Sequence, residues 1–275
     1  MLTKSEWLQK QGRRFRLRLV GNNVPARAAF VFGAQRSGTT MMAKVIGRSP
    51  RAELYLENDP EAFDNYALKE LATIDALVRH SRADVVLFKS ILDSQIAREL
   101  LDRYDNAKAI WIFRPYWDVV NSSLRHFKNH YQDLDLMVHR PVEAGWRVQN
   151  VAEDDMALVR RFHAKGVSDE SARALLWYLR NQLLFQQRLE SDARVAVVNY
   201  DDIVKFPSAR YPGIFAHLGL QFAPHFTSEV RATSVNRRAR PAIDPEIAAL
   251  CDPMLERLTG ARAGQVAASA PSVTA

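Results

Sequence analysis

The stretch FVFGAQRSGTTMMAKVIG, residues 30–47, decides how this chain is read. The apolar run 28–32, rich in aromatic and β-branched residues, predicts a short buried strand. Gly33 closes it, four residues follow, and Gly38, Thr39 and Thr40 open an amphipathic segment carrying Met41, Met42, Val45 and Ile46. Strand, glycine-bounded loop and helix start together aim backbone N–H groups and the positive end of a helix dipole at an anion. Gly33 and Gly38 permit the backbone angles and the close approach that a phosphate cradle needs.

The Gly-x4-Gly frame is that of a P-loop, yet Thr39 stands where a nucleoside triphosphatase has its lysine. The positive charge sits earlier, at Arg36. Beyond the loop, 275 residues with 47% hydrophobic content support a sizeable core. A single cysteine, Cys251, excludes an internal disulfide and multi-cysteine metal sites, and it suits a reducing cytoplasm. No apolar run approaches the ~20 residues of a membrane span, and the first residues lack a signal-peptide core.

Net charge is +7, from 38 Lys and Arg against 31 Asp and Glu. Arg13, Arg14, Arg16 and Arg18 cluster early; Arg237, Arg238 and Arg240 cluster late. No zinc-finger spacing, aromatic RNA-binding motif or long basic block accompanies them, so an anionic small ligand is expected rather than nucleic acid.

Working outward, buried strands are predicted at 52–56, 85–88, 109–113 and 195–198, with helices at about 59–78, 93–104, 117–127, 169–190, 212–218 and 244–258. Residues 1–27 read as a basic lead-in and 28–260 as the folded domain. Within it, 129–166 reads as irregular and polar, a lid or acceptor-binding insertion; 261–275 reads as a mobile tail. Apolar strands alternating with helices predict a three-layer α/β fold with a mainly parallel sheet. Ligands bind outside the carboxyl ends of such strands, where Gly33, Glu57, Lys89, Arg114 and Tyr200 all fall.

A second motif supports the first. In IWIFRPYWDVVNS, 110–122, Arg114 ends a strand and Ser122 follows eight residues later in the next helix, so both can reach one phosphate; Ser123 is the alternative hydroxyl. Arg36-Ser37-Gly38-Thr39-Thr40 resembles the 5′-phosphosulfate loop of the sulfotransferases, which move a sulfuryl group from 3′-phosphoadenosine-5′-phosphosulfate (PAPS) to an acceptor. Arg114 and Ser122 are similar to that family's 3′-phosphate motif. Tyr200-Asp201-Asp202-Ile203 looks like its Tyr-Glu-Asp-Leu, whose tyrosine lies near the adenine. Residues 235–240 occupy the place of its late basic loop, where Arg237 or Arg238 would contact the 3′-phosphate.

The resemblance implies a P-loop-like fold of the bacterial and Golgi-type members, PAPS as co-substrate, 3′,5′-ADP as product and no metal. It implies a hydroxyl acceptor, whether carbohydrate, peptide, lipid or small metabolite. Lys89 matches the family's strand-end lysine and, with Arg36, would neutralise charge on the departing 5′-phosphate. The histidine of the family's Lys-x-His is absent, because Ile91 stands there. Glu57 follows Arg36 by twenty-one residues with Pro50 between, as in the tyrosylprotein enzymes, and is the expected base; Glu61, Asp93 and His126 are the other candidates. Two rival readings stay open. A P-loop nucleotide kinase would need a lysine at position 39 and a strand-end aspartate for Mg²⁺. A non-catalytic nucleotide-binding relative would need neither.

Overall fold

The computed structural model describes residues 10–12, 14, 15, 17, 24–127, 129–233 and 238–268. Five parallel strands form the central sheet in the order β2-β5-β1-β6-β7: β1 Arg27–Gly33, β2 Ala52–Tyr55, β5 Val85–Lys89, β6 Lys108–Phe113 and β7 Val195–Asn199. β1 is central, with Phe30 opposite Phe88 on one side and Ala109 on the other.

Alternation along each strand builds two cores. Ala28, Phe30 and Phe32 of β1, with Trp111 and Phe113 of β6, face one layer. That layer comprises α2 Leu71–His80, α3 Ala97–Asp102, α4 Tyr116–Ser123, α8 Asp169–Gln186 and α11 Pro245–Ala268. Ala29 and Val31, with Ile110 and Ile112, face the other. There α1 Thr39–Ile46, α9 Tyr200–Lys205 and α10 Pro207–His217 supply Met42, Ile46, Ile203, Tyr211 and Phe215. The three-layer fold with a parallel sheet is thus the one expected.

The neighbours β1 and β6 send their following helices, α1 and α4, to opposite faces. Their diverging connections open a crevice at the carboxyl ends of the sheet, the usual ligand address in such folds.

Four local expectations need correction. The helix expected from Asp59 begins only at Leu71. Before it, β3 Phe63–Asp64 and β4 Ala67–Leu68 pair as a hairpin through Asn65 and Tyr66, whose φ angles of 46° and 67° suit a two-residue hairpin turn. The helix expected over 93–104 is a 3₁₀ segment, Ile91–Ile96, followed by α3. Residues 129–166 are largely helical rather than irregular: α5 His130–His139, α6 Pro141–Ala144 and α7 Glu153–Lys165. Leu134, Met137, Val159 and Phe162 bury one face of these helices, a periodicity diluted in sequence by the surrounding charge. Finally, α11 continues through Ala268, as an alanine-rich sequence favours; 269–275 lie outside the described residues.

The early basic cluster is partly neutralised at the sheet edge. Arg14 donates to Glu53 at 2.7 Å and to Glu61, and Lys10 pairs with Asp59. Among the described residues, no helix is long and apolar enough to cross a membrane.

Candidate phosphate-binding site

The loop after β1 is held open by its backbone. Arg36 adopts φ 69° and Gly38 φ 91°, both left-handed. Any Cβ on Gly38 would lie 2.1 Å from Cδ2 of Tyr200, whose ring fills that space. Gly33 is equally constrained, since its Cβ would lie 2.2 Å from the Ile112 carbonyl oxygen. Ser37 is fully buried, and its hydroxyl has no hydrogen-bond partner among the described residues. Thr39 is buried. Thr40 is exposed and lines a cavity of about 540 Å³ with Lys44, Leu54 and Leu56.

Tertiary structure joins the two motifs across the β1–β6 crevice. Arg36 Nε donates to Ser122 Oγ at 3.2 Å, although the residues lie 86 positions apart. Ser123 turns the other way, its hydroxyl 3.1 Å from His130 Nε2, so Ser122 is the hydroxyl that faces the loop. Arg114 is buried, pairs with Asp118 at 3.3 Å and lies 4.8 Å above the Tyr200 ring. Burial, and then the charges of Arg125 and Arg114, push the Arg36 guanidinium below its ordinary range. A cluster of cations in that state is relieved by an anion.

Beside it, Lys89 is buried at the end of β5 and forms an ion pair with Glu57. Burial lowers the Lys89 ammonium; Glu57 opposes that shift, and Arg36 adds to it.

The other candidate bases are each engaged by protein groups. Glu61 binds Arg14 and Lys10. Asp93 is buried, and both its carboxylate oxygens accept from the Leu68 N–H at 3.2 Å, which ties down the β3–β4 hairpin. His126 donates from Nδ1 to the Ser122 carbonyl at 3.0 Å, and Arg36 Nη2 lies 3.3 Å from each ring nitrogen.

In the late basic loop, Arg237 lies outside the described residues and Arg238 is exposed. Its neighbour Arg240 is the one that docks, 4.0 Å over the Trp117 ring, while Asn121 donates to the Ala239 carbonyl at 3.0 Å. Both contacts fasten this segment to α4, the helix that carries Ser122.

Sequence reasoning missed Arg173 and Arg180 on α8. Arg173 is wholly buried beneath the loop and donates from Nη2 to the Gln35 carbonyl at 2.9 Å. Burial pushes its guanidinium down to about 10, with Asp133 opposing and Arg36 adding. Arg180 donates to the Ile91 carbonyl at 2.6 Å, just past Lys89. Their seven-residue spacing, two helical turns on an otherwise apolar face, was the available signal.

No protein-family model matches this chain, and no curated protein matches it in sequence. Solved structures do resemble it. A sulfotransferase from Alicyclobacillus acidocaldarius superposes with a TM-score of 0.52 at 16% identity, over 87% of this chain and 97% of that one. The sulfotransferase domain of the Synechococcus PCC 7002 olefin synthase gives 0.48 at 14% identity, over 86% and 90%. Mouse sulfotransferase SULT7A1, complexed with PAP, gives 0.45 at 16% identity, over 84% and 73%. The first of these carries the fold assignment: the chain has the sulfotransferase fold, with its loop and strand-end cations gathered at the carboxyl edge of the sheet.

Proposed function

We propose that this protein is a sulfotransferase that moves a sulfuryl group from PAPS to an acceptor hydroxyl and releases 3′,5′-ADP. The observation that carries the reading is the Arg36–Ser122 contact, which joins a 5′-phosphosulfate-type loop to a 3′-phosphate-type motif in one crevice. The residues present fit such a ligand. Ser37 offers a buried hydroxyl with no partner among the described residues, and Arg36 and Arg114 form a cationic cluster.

Arg36, Ser37, Gly38, Thr39 and Thr40 hold the 5′-phosphosulfate, with N–H groups of the first turn of α1 that lack helical acceptors. Arg114 and Ser122 hold the 3′-phosphate, and Arg237 or Arg238 closes over it. Tyr200 fixes the loop from beneath and lies on the adenine side. Bound PAPS supplies the activated sulfuryl group. Glu57 takes the proton of the acceptor hydroxyl as that oxygen bonds to sulfur. Lys89 and Arg36 hold the charge that gathers on the departing 5′-phosphate oxygen. Because Lys89 already pairs with Glu57, an incoming phosphate that shares the ammonium loosens the carboxylate for its task.

Thermal stabilisation by 3′,5′-ADP, with AMP and Mg-ATP as controls, tests this. At 100 times its dissociation constant a ligand adds about 2.7 kcal/mol to stability. The proposal expects a large shift with 3′,5′-ADP, a small one with AMP and sulfuryl transfer from PAPS. A larger shift with Mg-ATP overturns it in favour of a kinase; binding of 3′,5′-ADP with no transfer to any acceptor in a broad screen leaves a binding protein.

A further inference from the structure

Two histidines and an aspartate that the transferase reading does not use converge in the helical insertion. Asp135 and His139 stand one turn apart on α5 and so share a face, and His163 reaches them from the last turn of α7. His163 Nε2 lies 3.2 Å from Asp135 Oδ1, and His139 Nε2 lies 3.8 Å from the same oxygen. All three ligand atoms fall within 4.8 Å of one another.

A tetrahedral ion with bonds of about 2.0–2.1 Å spaces its ligand atoms about 3.3–3.4 Å apart, and the two measured separations bracket that value. The ring of His163 is held by neighbours. Tyr131 stacks on it at 5.2 Å and 17°, and the Tyr131 hydroxyl donates to the His163 carbonyl at 2.8 Å. His139 meets the same ring edge-on at 5.0 Å. The His139 side chain is 60% exposed and that of Asp135 43%, so an ion can enter from solvent, with a water as fourth ligand.

We propose that Asp135, His139 and His163 bind a divalent transition-metal ion that clips α5 to α7. Two imidazoles and one carboxylate select a borderline ion such as Zn²⁺, Co²⁺ or Ni²⁺ over Mg²⁺ or Ca²⁺, which take all-oxygen sets. The clip would add a third link between two helices that already pack on each other through the Tyr131–His163 stack and hydrogen bond. The site does not depend on the transferase reading, and it supplies no group to the reaction proposed above.

The test is calorimetric titration of untagged, chelator-stripped, full-length protein with Zn²⁺ alone, and with Co²⁺ alone read by visible absorption. The expected results are one equivalent bound and the absorption of four-coordinate cobalt without thiolate bands, since Cys251 is buried. Zn²⁺ should also raise the melting temperature. His139→Ala removes the most exposed of the three side chains. Losing a direct ligand should weaken Zn²⁺ at least as much as losing a supporting partner does, about 10-fold or more, and should abolish the thermal shift. Absence of binding, or equal stoichiometry and affinity in wild type and His139→Ala, overturns the proposal and leaves the three side chains as a simple His–Asp cluster.

Discussion

A single methyl group placed on Gly38 separates the two reasons for a glycine there. Gly38→Ala forces a side chain onto a residue at φ 91° and drives its Cβ to 2.1 Å and 2.4 Å from two carbons of the Tyr200 ring. The left-handed backbone alone costs about 1–2 kcal/mol for a residue with a Cβ. Overpacking against a buried ring adds about 1–3 kcal/mol, because Tyr200 is only 8% exposed and its ring also lies against Arg114. The sum, about 2–5 kcal/mol, is large for one methyl group.

A double-mutant cycle with Tyr200→Ala isolates the second part. In the Tyr200→Ala background, Gly38→Ala should cost only the backbone component, giving a coupling of about 1–3 kcal/mol by urea denaturation. The same substitution should weaken 3′,5′-ADP binding in the wild-type background, since it displaces the loop that carries Arg36 and Ser37. A coupling indistinguishable from zero would refute the steric account, and wild-type nucleotide affinity in Gly38→Ala would remove this loop from the binding site.

Three further outcomes can be checked. Burial pushes the Asp93 carboxyl up to about 7, against the Leu68 N–H and the charge of Arg180, while the unfolded chain titrates near 4. The folded state therefore keeps a proton that the unfolded state releases, and stability should fall by up to about 4 kcal/mol as pH rises from 4 to 7. Asp93→Asn should abolish this dependence, and an unchanged pH profile would contradict it. Glu57→Gln should reduce sulfuryl transfer by about 10²-fold or more while leaving 3′,5′-ADP affinity within about twofold; undiminished turnover would assign the proton to another group. Arg173→Met keeps the buried volume but removes the donor to the Gln35 carbonyl. Stability should change by no more than about 2 kcal/mol, since relief of a buried charge offsets the lost bond, whereas nucleotide affinity should drop. Equal affinity would show that the loop holds its shape without this anchor.

By itself, the sequence determined the elements that carry local signals. Strands β1, β5, β6 and β7 were legible because each is a run of buried apolar residues bounded by polar ones. The glycine-bounded loop after β1 was legible because only glycine suits the angles at its two ends. Arg36, Lys89 and Arg114 were legible by address, at or just after strand ends. Signals that weaken one another were lost, such as the Asn65–Tyr66 hairpin within a helical apolar pattern and the helices of 129–166 beneath heavy surface charge. Tertiary structure decided the pairings. It chose Ser122 over Ser123 because one face of α4 meets the loop and the other meets His130. It set Glu57 on Lys89, Tyr200 against Gly38 and Arg173 under Gln35, contacts between residues 32 to 162 positions apart. Periodicity and spacing report which face a side chain takes within its own element. Which partner it meets depends on strand order and layer, and those follow from how the whole chain buries its two cores.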